Sequence, residues 1–376
     1  MSDRAFDSGA AWLRLKLVRK VRETAEISSF YFESEDGVPL PGFRAGQYLT
    51  LSIQANSKEP VLRTYTLSSS PHELGRYRIT VKREGAPADR PDLPSGIGSG
   101  FLHDHLSEGD VIPALPPRGR FVLDDSDRPV VLLSGGVGLT PMVAILADLS
   151  QAEPRRPVWF IHACRDASHR ALHEEVAALA GRHRQAQVLT VFEADTGAAR
   201  PDAVGLVDMA LLQKWLPLDD YSFYLCGPPG FMSALYRGLT GLNIAEDRIA
   251  YEHFGPATVL KPATERDAPK VFVASQSAKD GPIVEFGTSG VTATFSNEVP
   301  SILDLAKREG LEVLYSCEEG ICGTCRCRLI EGEVEYSTEP IAHLDEGEIL
   351  TCIGRPKTDI KIELWNFAIS SFPAPL

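Results

Sequence analysis

Apolar and polar residues alternate in short runs through the first third of the chain. Alternation with a period of two predicts β-strands that are buried on one face. Clusters rich in Gly, Pro and Asp, such as DGVPLPG, separate the runs in the way that turns do. Many short strands with such turns predict an antiparallel β-barrel that ends near residue 125. The runs are LRLKLVRKV, ISSFYFES, GQYLTLSI, RTYTLSS and RYRITVKR.

The pattern changes in the middle third of the chain. Continuous apolar runs, typical of strands that are buried on both faces, alternate there with segments of helical period. Such alternation predicts an α/β domain with a parallel sheet. The predicted strands lie in PVVLLSGG, PVWFIHACR, QVLTVFEA and SFYLCGPPG, and the predicted helices in TPMVAILADLS, SHRALHEEVAALAGRH, MALLQKWL and FMSALYRGL.

The last part of the chain predicts a small α+β module. PATVLKPATERDAPK has no periodicity and three prolines, which indicates a linker. A hairpin follows, and SILDLAKREG predicts a helix capped by Ser301 and stopped at Gly310. CRCRLIEGEVEY predicts a strand beyond the cysteine-rich loop.

Composition narrows the class of partner. The formal net charge of −13 disfavours a nucleic-acid partner. Residues 270–376 hold 17 acidic against 9 basic residues, an excess that favours steering of a basic protein partner, although it is also common for solubility alone. With neither a signal-peptide core nor a membrane-length apolar run, a cytoplasmic location is expected.

Four of the seven cysteines are clustered in SCEEGICGTCRCRL. Cys317, Cys322 and Cys325 have the spacing C-x4-C-x2-C, and 26 residues lie between Cys325 and Cys352. Three close thiolates and one distant thiolate are the plant-type [2Fe–2S] pattern, whereas a zinc ribbon pairs two short knuckles. Cys327 is then either a buried small side chain near the cluster or an alternative ligand. The predicted metal ligands are Cys317, Cys322, Cys325 and Cys352.

The strand RTYTLS carries side chains suited to a phosphate-bearing aromatic ligand. Arg63 suits a phosphate, Tyr65 offers a flat face, and Thr66 adds a hydroxyl and a backbone N–H. GIGSGFLHDHL then predicts a glycine-rich turn at a helix N-terminus, which is an anion site. In the middle domain, LSGGVGLTPM follows one strand and CGPPG another, so both loops lie at the ligand-binding edge of a parallel sheet.

These motifs together resemble the ferredoxin–NADP reductase superfamily. RxYT, TVKR and GxxS resemble its flavin-binding barrel, with special similarity to the reductase part of flavohaemoglobins, and GGVGLTP and CGP resemble its nicotinamide domain. The cysteine segment resembles plant-type ferredoxins, which have a β-grasp fold. The resemblance implies flavin-binding residues Tyr48, Arg63, Thr64, Tyr65, Thr66, Thr80, Val81, Lys82, Gly98 and Ser99, and nicotinamide-binding residues Gly135, Gly136, Gly138, Thr140, Pro141, Cys226, Gly227 and Pro228.

The resemblance also implies three catalytic residues. Thr66 would reach flavin N5, Cys226 would lie against the nicotinamide, and Phe254 in YEHFGP would cover the flavin, although His253 stands where an aromatic residue is common. FAD is expected from the GxxS turn, with FMN as the alternative. NADH is expected over NADPH, although Arg165 and Arg170 suit a 2′-phosphate that Asp166 opposes.

The predicted organisation is therefore a multi-domain electron-transfer chain. It has a flavin-binding antiparallel β-barrel at 10–125, an NAD(P)H-binding α/β domain at 126–255, a linker at 256–269 and a ferredoxin domain at 270–366. Electrons would pass from NADH through FAD and the [2Fe–2S] cluster to a terminal oxygenase, expected to be Rieske-type. A hybrid-cluster protein or a diiron hydroxylase is the alternative acceptor, and an iron–sulfur redox sensor is the non-enzymatic alternative.

Overall fold

The protein was analysed as a computed structural model. The structure describes residues 12–54, 61–85, 96–119, 121–152, 155–197, 199–252, 254, 281–287, 289–296, 298–311, 313, 320, 323, 325–338, 340 and 344–364. Residues 12–254 belong to one compact unit and residues 281–364 to another. The predicted linker at 256–269 lies outside the described residues. No helix in the described part of the chain is long and apolar enough to cross a membrane.

The first part of the large unit is an antiparallel sheet that curls towards a barrel. Its strand order is β4-β3-β6-β1-β2-β5, and Leu67, just past β4, bridges Ile79 of β5. Leu15 and Leu17 of β1 are buried while Arg14 and Lys16 are exposed, as the alternation predicts. The elements are β1 (Leu13–Arg22), β2 (Ile27–Ser34), β3 (Tyr48–Ile53), β4 (Val61–Thr66), β5 (Tyr77–Lys82), α1 (Ile97–Asp104) and β6 (Val111–Arg118).

The second part of the large unit is a six-stranded parallel sheet with the order β10-β9-β8-β7-β11-β12. Every residue of β7 is buried, because hydrophobic cores cover both faces of the sheet. The elements are β7 (Val130–Gly135), α2 (Leu139–Ala152), β8 (Val158–Cys164), α3 (His173–Arg182), β9 (Ala186–Phe192), β10 (Ala203–Val204), α4 (Met209–Trp215), β11 (Ser222–Cys226), α5 (Pro229–Gly241) and β12 (Ile249–Glu252).

The described residues of the smaller unit form a five-stranded mixed sheet with a helix packed on it, as the predicted β-grasp fold requires, and a separate two-stranded sheet of β16 and β18. The order is β14-β13-β19-β15-β17; β13 and β19 are parallel and the other pairs antiparallel. Ser301 caps α6 by accepting a hydrogen bond from the Asp304 N–H at 3.2 Å, as predicted. The elements are β13 (Ile283–Phe286), β14 (Val291–Thr294), α6 (Ile302–Arg308), β15 (Arg326–Glu331), β16 (Val334–Tyr336), β17 (Glu348–Leu350), β18 (Gly354–Pro356) and β19 (Ile360–Glu363).

Two predicted elements differ from the structure in their bounds. CRCRLIEGEVEY forms two strands in different sheets, because Gly332 turns the chain at φ +92° between β15 and β16. The helix predicted over SHRALHEEVAALAGRH begins only at His173. The Asp166 carboxylate accepts the Ser168 N–H at 2.8 Å and stabilises a separate 3-10 turn before it.

Candidate functional site

The RTYT strand lies directly against the glycine-rich turn of α1. A Cβ on Gly98 would stand 2.7 Å from both the Arg63 Cγ and the Tyr65 hydroxyl, so only glycine lets the helix approach this closely. Burial raises the pKa of the Tyr65 hydroxyl, which therefore stays protonated. The arginine, the tyrosine and a helix N-terminus thus meet at one place. This donor set suits the phosphates and the flat body of a flavin nucleotide.

Helix α1 is held at both ends. The Ser99 hydroxyl accepts the Glu84 N–H at 3.1 Å and donates to the Gly96 carbonyl at 3.2 Å. At the other end, the Lys20 ammonium donates to the carbonyls of Leu102, His103 and Leu106 at 2.7–3.0 Å. Cations at a helix C-terminus are favourable, and these bonds satisfy carbonyls that the helix leaves open. Sequence reasoning did not identify Lys20, whose distance from α1 along the chain hides the contact.

The four residues of the RTYT motif divide between the two faces of β4. Tyr48 is paired with Thr66, and Thr50 is paired with Thr64, so these side chains share one face. Arg63 and Tyr65 lie on the other face. Tyr48 also packs against Gly119, where a Cβ would stand 3.0 Å from its ring. A ligand at the end of β4 would therefore meet Thr64 and Thr66 on one face of the strand and Arg63 and Tyr65 on the other.

The predicted residues of β5 are committed to contacts within the protein. The Thr80 hydroxyl is bonded to Ser29 at 2.9 Å and to Ser68 at 2.8 Å. Val81 packs in the core of the barrel, and the Lys82 ammonium donates to Glu84 at 3.2 Å. Thr80 and Val81 are left with only their backbone groups for a ligand.

The two glycine motifs of the α/β domain meet backbone to backbone. Strands β7 and β11 are neighbours, so the loops that follow them lie side by side. A Cβ on Gly138 would stand 2.2 Å from the Cys226 carbonyl oxygen, and one on Gly227 would stand 3.0 Å from the Gly135 nitrogen. Gly136 adds a φ of +54°. This close approach matches a dinucleotide-binding loop.

The neighbours of these glycines complete the predicted nicotinamide site. Thr140 and Pro141 are buried in the first turn of α2. Pro228 precedes α5, and its ring lies 2.8 Å from a Cβ built on Gly135. All eight residues predicted for the nicotinamide therefore lie around the ends of β7 and β11.

Glu252 joins the two domains at the end of β12, and sequence reasoning assigned it no role. The Thr66 hydroxyl donates to the Glu252 carboxyl at 2.8 Å, and Glu252 is paired with Cys226 in the parallel register. Burial raises the pKa of Glu252 to about 8, and the Thr66 hydrogen bond lowers it only in part. Glu252 therefore holds a proton at neutral pH. The signal that could have identified Glu252 is its place at the carboxyl end of a strand, where parallel sheets bind ligands.

Cys226 is enclosed and neutral. The residue is 0% exposed, and burial raises the pKa of its thiol well above the usual range; the Glu252 carboxyl group raises that pKa further once it has ionised at alkaline pH. A neutral thiol can pack beneath a bound ring but is no thiolate nucleophile. Phe254, the third predicted catalytic residue, is 36% exposed just beyond β12, while His253 lies outside the described residues.

The loop after β8 holds an acid and the two arginines predicted to suit a 2′-phosphate, and the buried Nε of Arg170 has no hydrogen-bond partner among the described residues. Arg165 is paired with Glu26 at 2.9 Å. Hydrogen bonds from Ser168 and His169 lower the pKa of the Asp166 carboxyl to about 2, so it is ionised. A fixed carboxylate at this position opposes a 2′-phosphate and suits a ribose hydroxyl.

Two of the four predicted cluster ligands come together in the smaller unit. The sulfurs of Cys325 and Cys352 are 3.1 Å apart, and both cysteines are buried and free of disulfides. A Cβ on Gly320 would stand 2.4 Å from Ile353, so the cysteine loop passes close to Cys352. Cys317 and Cys322 lie outside the described residues. The two sulfurs suit one end of an iron–sulfur cluster.

Cys327 belongs to a different environment. It packs in the main core of the unit with Phe286 and Ile362, whereas Cys325 and Cys352 pack together with Leu303. Its surroundings are those of a buried small side chain.

Three family profiles match separate parts of the chain. An oxidoreductase FAD-binding domain matches residues 14–123, an oxidoreductase NAD-binding domain matches 132–236, and a 2Fe-2S iron-sulfur cluster binding domain matches 285–357. The chain thus carries FAD-binding, NAD-binding and 2Fe-2S domains in that order.

Known proteins resemble the chain over different lengths. A flavohemoprotein of Oceanobacillus iheyensis is 40% identical over 243 residues, which are 64% of this chain and 58% of that protein. The flavohem-like FAD/NAD binding domain of a nitric oxide dioxygenase from Vibrio cholerae O1 biovar El Tor is 33% identical with a TM-score of 0.58, covering 65% of this chain and 99% of that one. Phthalate dioxygenase reductase is 27% identical with a TM-score of 0.58, covering 94% of this chain and 98% of that one.

The chain therefore spans less than two thirds of the flavohemoproteins that it matches, at 58% and 62% of their length. The match to phthalate dioxygenase reductase, a modular structure for electron transfer from pyridine nucleotides to [2Fe–2S], extends over nearly the whole of both chains.

Proposed function

The chain belongs to the ferredoxin–NADP reductase superfamily, among the NAD(P)H-dependent oxidoreductases with a 2Fe-2S ferredoxin domain, and we propose that it passes electrons from NADH through FAD and a [2Fe–2S] cluster to a partner oxygenase. The observation that carries the proposal is the contact between Thr66 and Glu252 beside Cys226. It brings the end of the predicted flavin strand to the end of the predicted nicotinamide sheet. The domain bounds 10–125, 126–255, 256–269 and 270–366 are part of the same proposal.

The residues of the chain would bind and orient the flavin and the nicotinamide, and Glu252 holds a proton. When bound, a flavin accepts two electrons as a hydride and releases them singly, as a one-electron cluster requires. Arg63, Tyr65 and the N-terminus of α1 would hold its nucleotide portion. The loops at Gly138 and Gly227 would hold the dinucleotide, with Cys226 packed beneath its ring. Glu252 keeps a proton on its carboxyl group at neutral pH and accepts a hydrogen bond from Thr66.

The remaining assignments also belong to the proposal. Phe254 would shield the flavin, since it lies on the chain just after Glu252 and is partly exposed. Cys317, Cys322, Cys325 and Cys352 would hold the cluster. NADH is favoured over NADPH by the ionised Asp166 and by the pairing of Arg165 with Glu26.

An iron oxygenase, expected to be Rieske-type, is the proposed partner. The near-complete match to phthalate dioxygenase reductase supports an oxygenase system. The acidic excess of residues 270–376 favours a basic docking surface on the partner, because opposite charges accelerate encounter. Attaching the ferredoxin domain to the reductase raises the concentration of the cluster near the flavin.

Anaerobic purification followed by reductive titration tests the proposal. We expect the extracted flavin to be FAD, and we expect NADH to bleach the flavin and cluster absorbance faster than NADPH does. Absence of a bound flavin would refute the central claim, and faster reduction by NADPH would refute the nicotinamide assignment alone. Reduction of purified Rieske-type oxygenases, diiron hydroxylases and hybrid-cluster proteins then distinguishes the partners.

A further inference from the structure

Arg78 of β5 is a buried cation that joins the barrel to the α/β domain. Its side chain is 5% exposed, and its guanidinium forms a two-pronged ion pair with Glu175 of α3, in which Nη2 donates to Oε1 at 2.9 Å and Nη1 donates to Oε2. The Tyr31 ring flanks it, with the centroid 5.8 Å from Cζ. Planar, bidentate pairs of this kind restrict orientation as well as distance.

On the barrel side, Arg78 contacts the Thr66 segment, which comprises residues 66–68. The Arg78 Nε donates to the Ser68 hydroxyl at 3.0 Å, and Nη2 donates to the Ser68 carbonyl. The Ser68 N–H in turn donates to the Arg78 carbonyl at 2.8 Å. Ser68 follows Thr66 by two residues, so Arg78 holds the chain just beyond the threonine that binds Glu252.

On the α/β side, the contact is connected by packing to the dinucleotide loop, which comprises residues 135–141 at the end of β7 and the start of α2. Glu175 lies in the first turn of α3. Val176, the next residue, packs in the same core as Leu139, which begins α2. Thr140 and Pro141 of the predicted nicotinamide site follow Leu139 directly. A displacement of Glu175 would therefore be transmitted to that turn through close packing.

Three other ion pairs among the described residues join the two domains. One of them, Arg156 with Asp124, also has a buried arginine, with side chains 3% and 38% exposed. The other two are at least partly exposed at both partners. The Arg165–Glu26 pair has side chains 54% and 37% exposed, and the His72–Asp148 pair has side chains 34% and 26% exposed. Exposed pairs contribute little and are easily replaced by water. The Arg78–Glu175 pair differs from these three in its contacts rather than in burial alone. Arg78 is enclosed while Glu175 is 35% exposed, and the same guanidinium that binds Glu175 also donates to Ser68, two residues beyond Thr66.

We propose that Arg78 and Glu175 are positioning residues for hydride transfer, which keep the Thr66 segment and the dinucleotide loop at a set separation. This inference rests on the proposed function. Neither residue touches the predicted catalytic groups; they act through Ser68 and through the α2–α3 core. Misplacement of reacting groups by about 1 Å can cost up to a hundredfold in rate, so a loosened pair should slow the chemical step.

Stopped-flow reduction of the purified holoenzyme by NADH, with and without deuterium at the transferred position, tests the inference. For Glu175→Gln we expect normal flavin content, an NADH dissociation constant within about twofold of wild type, and a limiting rate of flavin reduction lower by about tenfold. The isotope effect should persist at full size. Asp148→Asn, which breaks the His72–Asp148 pair between the same domains, should behave as wild type.

Hydrogen exchange of the NADH-free enzyme supplies a readout that is independent of turnover. Glu175→Gln should increase exchange at residues 66–68 and 172–176 while the remaining strands stay protected. An unchanged limiting rate, or a loss confined to flavin content or thermal stability, would overturn the positioning role. If wild-type flavin is not reduced by NADH at all, the proposed function fails instead, so the two failures are distinguishable.

Discussion

At the scale of single residues, contacts rather than residue types decide what each group does. Thr66, Cys226 and Glu252 are far apart in sequence, yet one hydrogen bond and one strand register bring them together. Glu252 would be an ordinary surface acid in an isolated peptide. Its surroundings in the fold raise its pKa to about 8. Protonation of this carboxyl group is thus a property of the folded protein.

Glu252 should make the large unit less stable at alkaline pH. Its pKa rises from an ordinary 4.5 to about 8 on folding, so the folded state binds the proton more tightly. Stability is therefore lost as the pH rises from about 4.5 through 8. We expect the melting temperature of wild type to fall more steeply between pH 6 and 9 than that of Glu252→Gln. Exposed Glu174→Gln is the control, and parallel curves for wild type and Glu252→Gln would contradict the prediction.

Cys327 and Cys352 should respond differently to the same substitution. Cys352→Ser should abolish the visible absorbance and the electron paramagnetic resonance signal of the cluster, because a proposed ligand is removed. Cys327→Ser should keep both signals, with a stability loss of about 1–3 kcal/mol from burying a hydroxyl in the core. Loss of the cluster in folded Cys327→Ser would identify it as a ligand.

At the scale of elements, short loops carry the close approaches that the site requires. Strands β7 and β11 are adjacent, so the backbone of one loop lies against the backbone of the other. Backbone atoms cannot rotate out of the way as side chains do. Gly135, Gly138 and Gly227 are therefore required by distance. Gly136 is required instead by its φ of +54°, because a Cβ there would meet nothing within 4 Å.

Gly138→Ala should weaken NADH binding. The new Cβ would lie 2.2 Å from the Cys226 carbonyl oxygen, so the two loops must separate. We expect the NADH dissociation constant to rise by about tenfold or more, with a stability loss of about 1–3 kcal/mol. Gly230→Ala is the matched control, because its Cβ meets nothing within 4 Å in helix α5. Equal binding by the two variants would show that the loops tolerate separation.

At the scale of the whole molecule, the described chain folds into two units, each with its own hydrophobic core. Residues 12–254 contain both the barrel and the parallel sheet, whereas residues 281–364 have their own sheet and helix. Contacts such as Thr66–Glu252 and Arg78–Glu175 lie wholly inside the first unit. Two-electron and one-electron chemistry are thus proposed to reside in different units.

A fragment comprising residues 12–254 should therefore retain the reduction of the flavin by NADH but lose electron transfer through the cluster. We expect it to bind FAD and to reduce ferricyanide with NADH at a rate within about threefold of the full chain, because its core is complete. The rate of cytochrome c reduction should fall by about tenfold or more, because the fragment lacks the cluster that would pass single electrons to the acceptor. The intact chain with Cys352→Ser is the companion sample and should show the same split. A fragment that folds but fails to bind flavin would contradict this division.

The sequence by itself determined the class of each module, and it contains the motifs from which the ligands are predicted. Period-two alternation, buried apolar runs, glycine loops and cysteine spacing are local signals, because they follow from backbone geometry and from the coordination needs of a bound group. The same locality explains the boundary errors: Gly332 ends a strand and Asp166 delays a helix through contacts that periodicity does not record.

Only the tertiary structure decided which distant residues act together. The pairing of Thr66 with Glu252, the ion pair of Arg78 with Glu175 and the packing of Cys327 in one core with Phe286 and Ile362 each join residues from different elements. Burial and strand register set these contacts and the protonation of Glu252, and both depend on how complete elements pack. No window of sequence contains that information, because the neighbours that create it lie elsewhere in the chain.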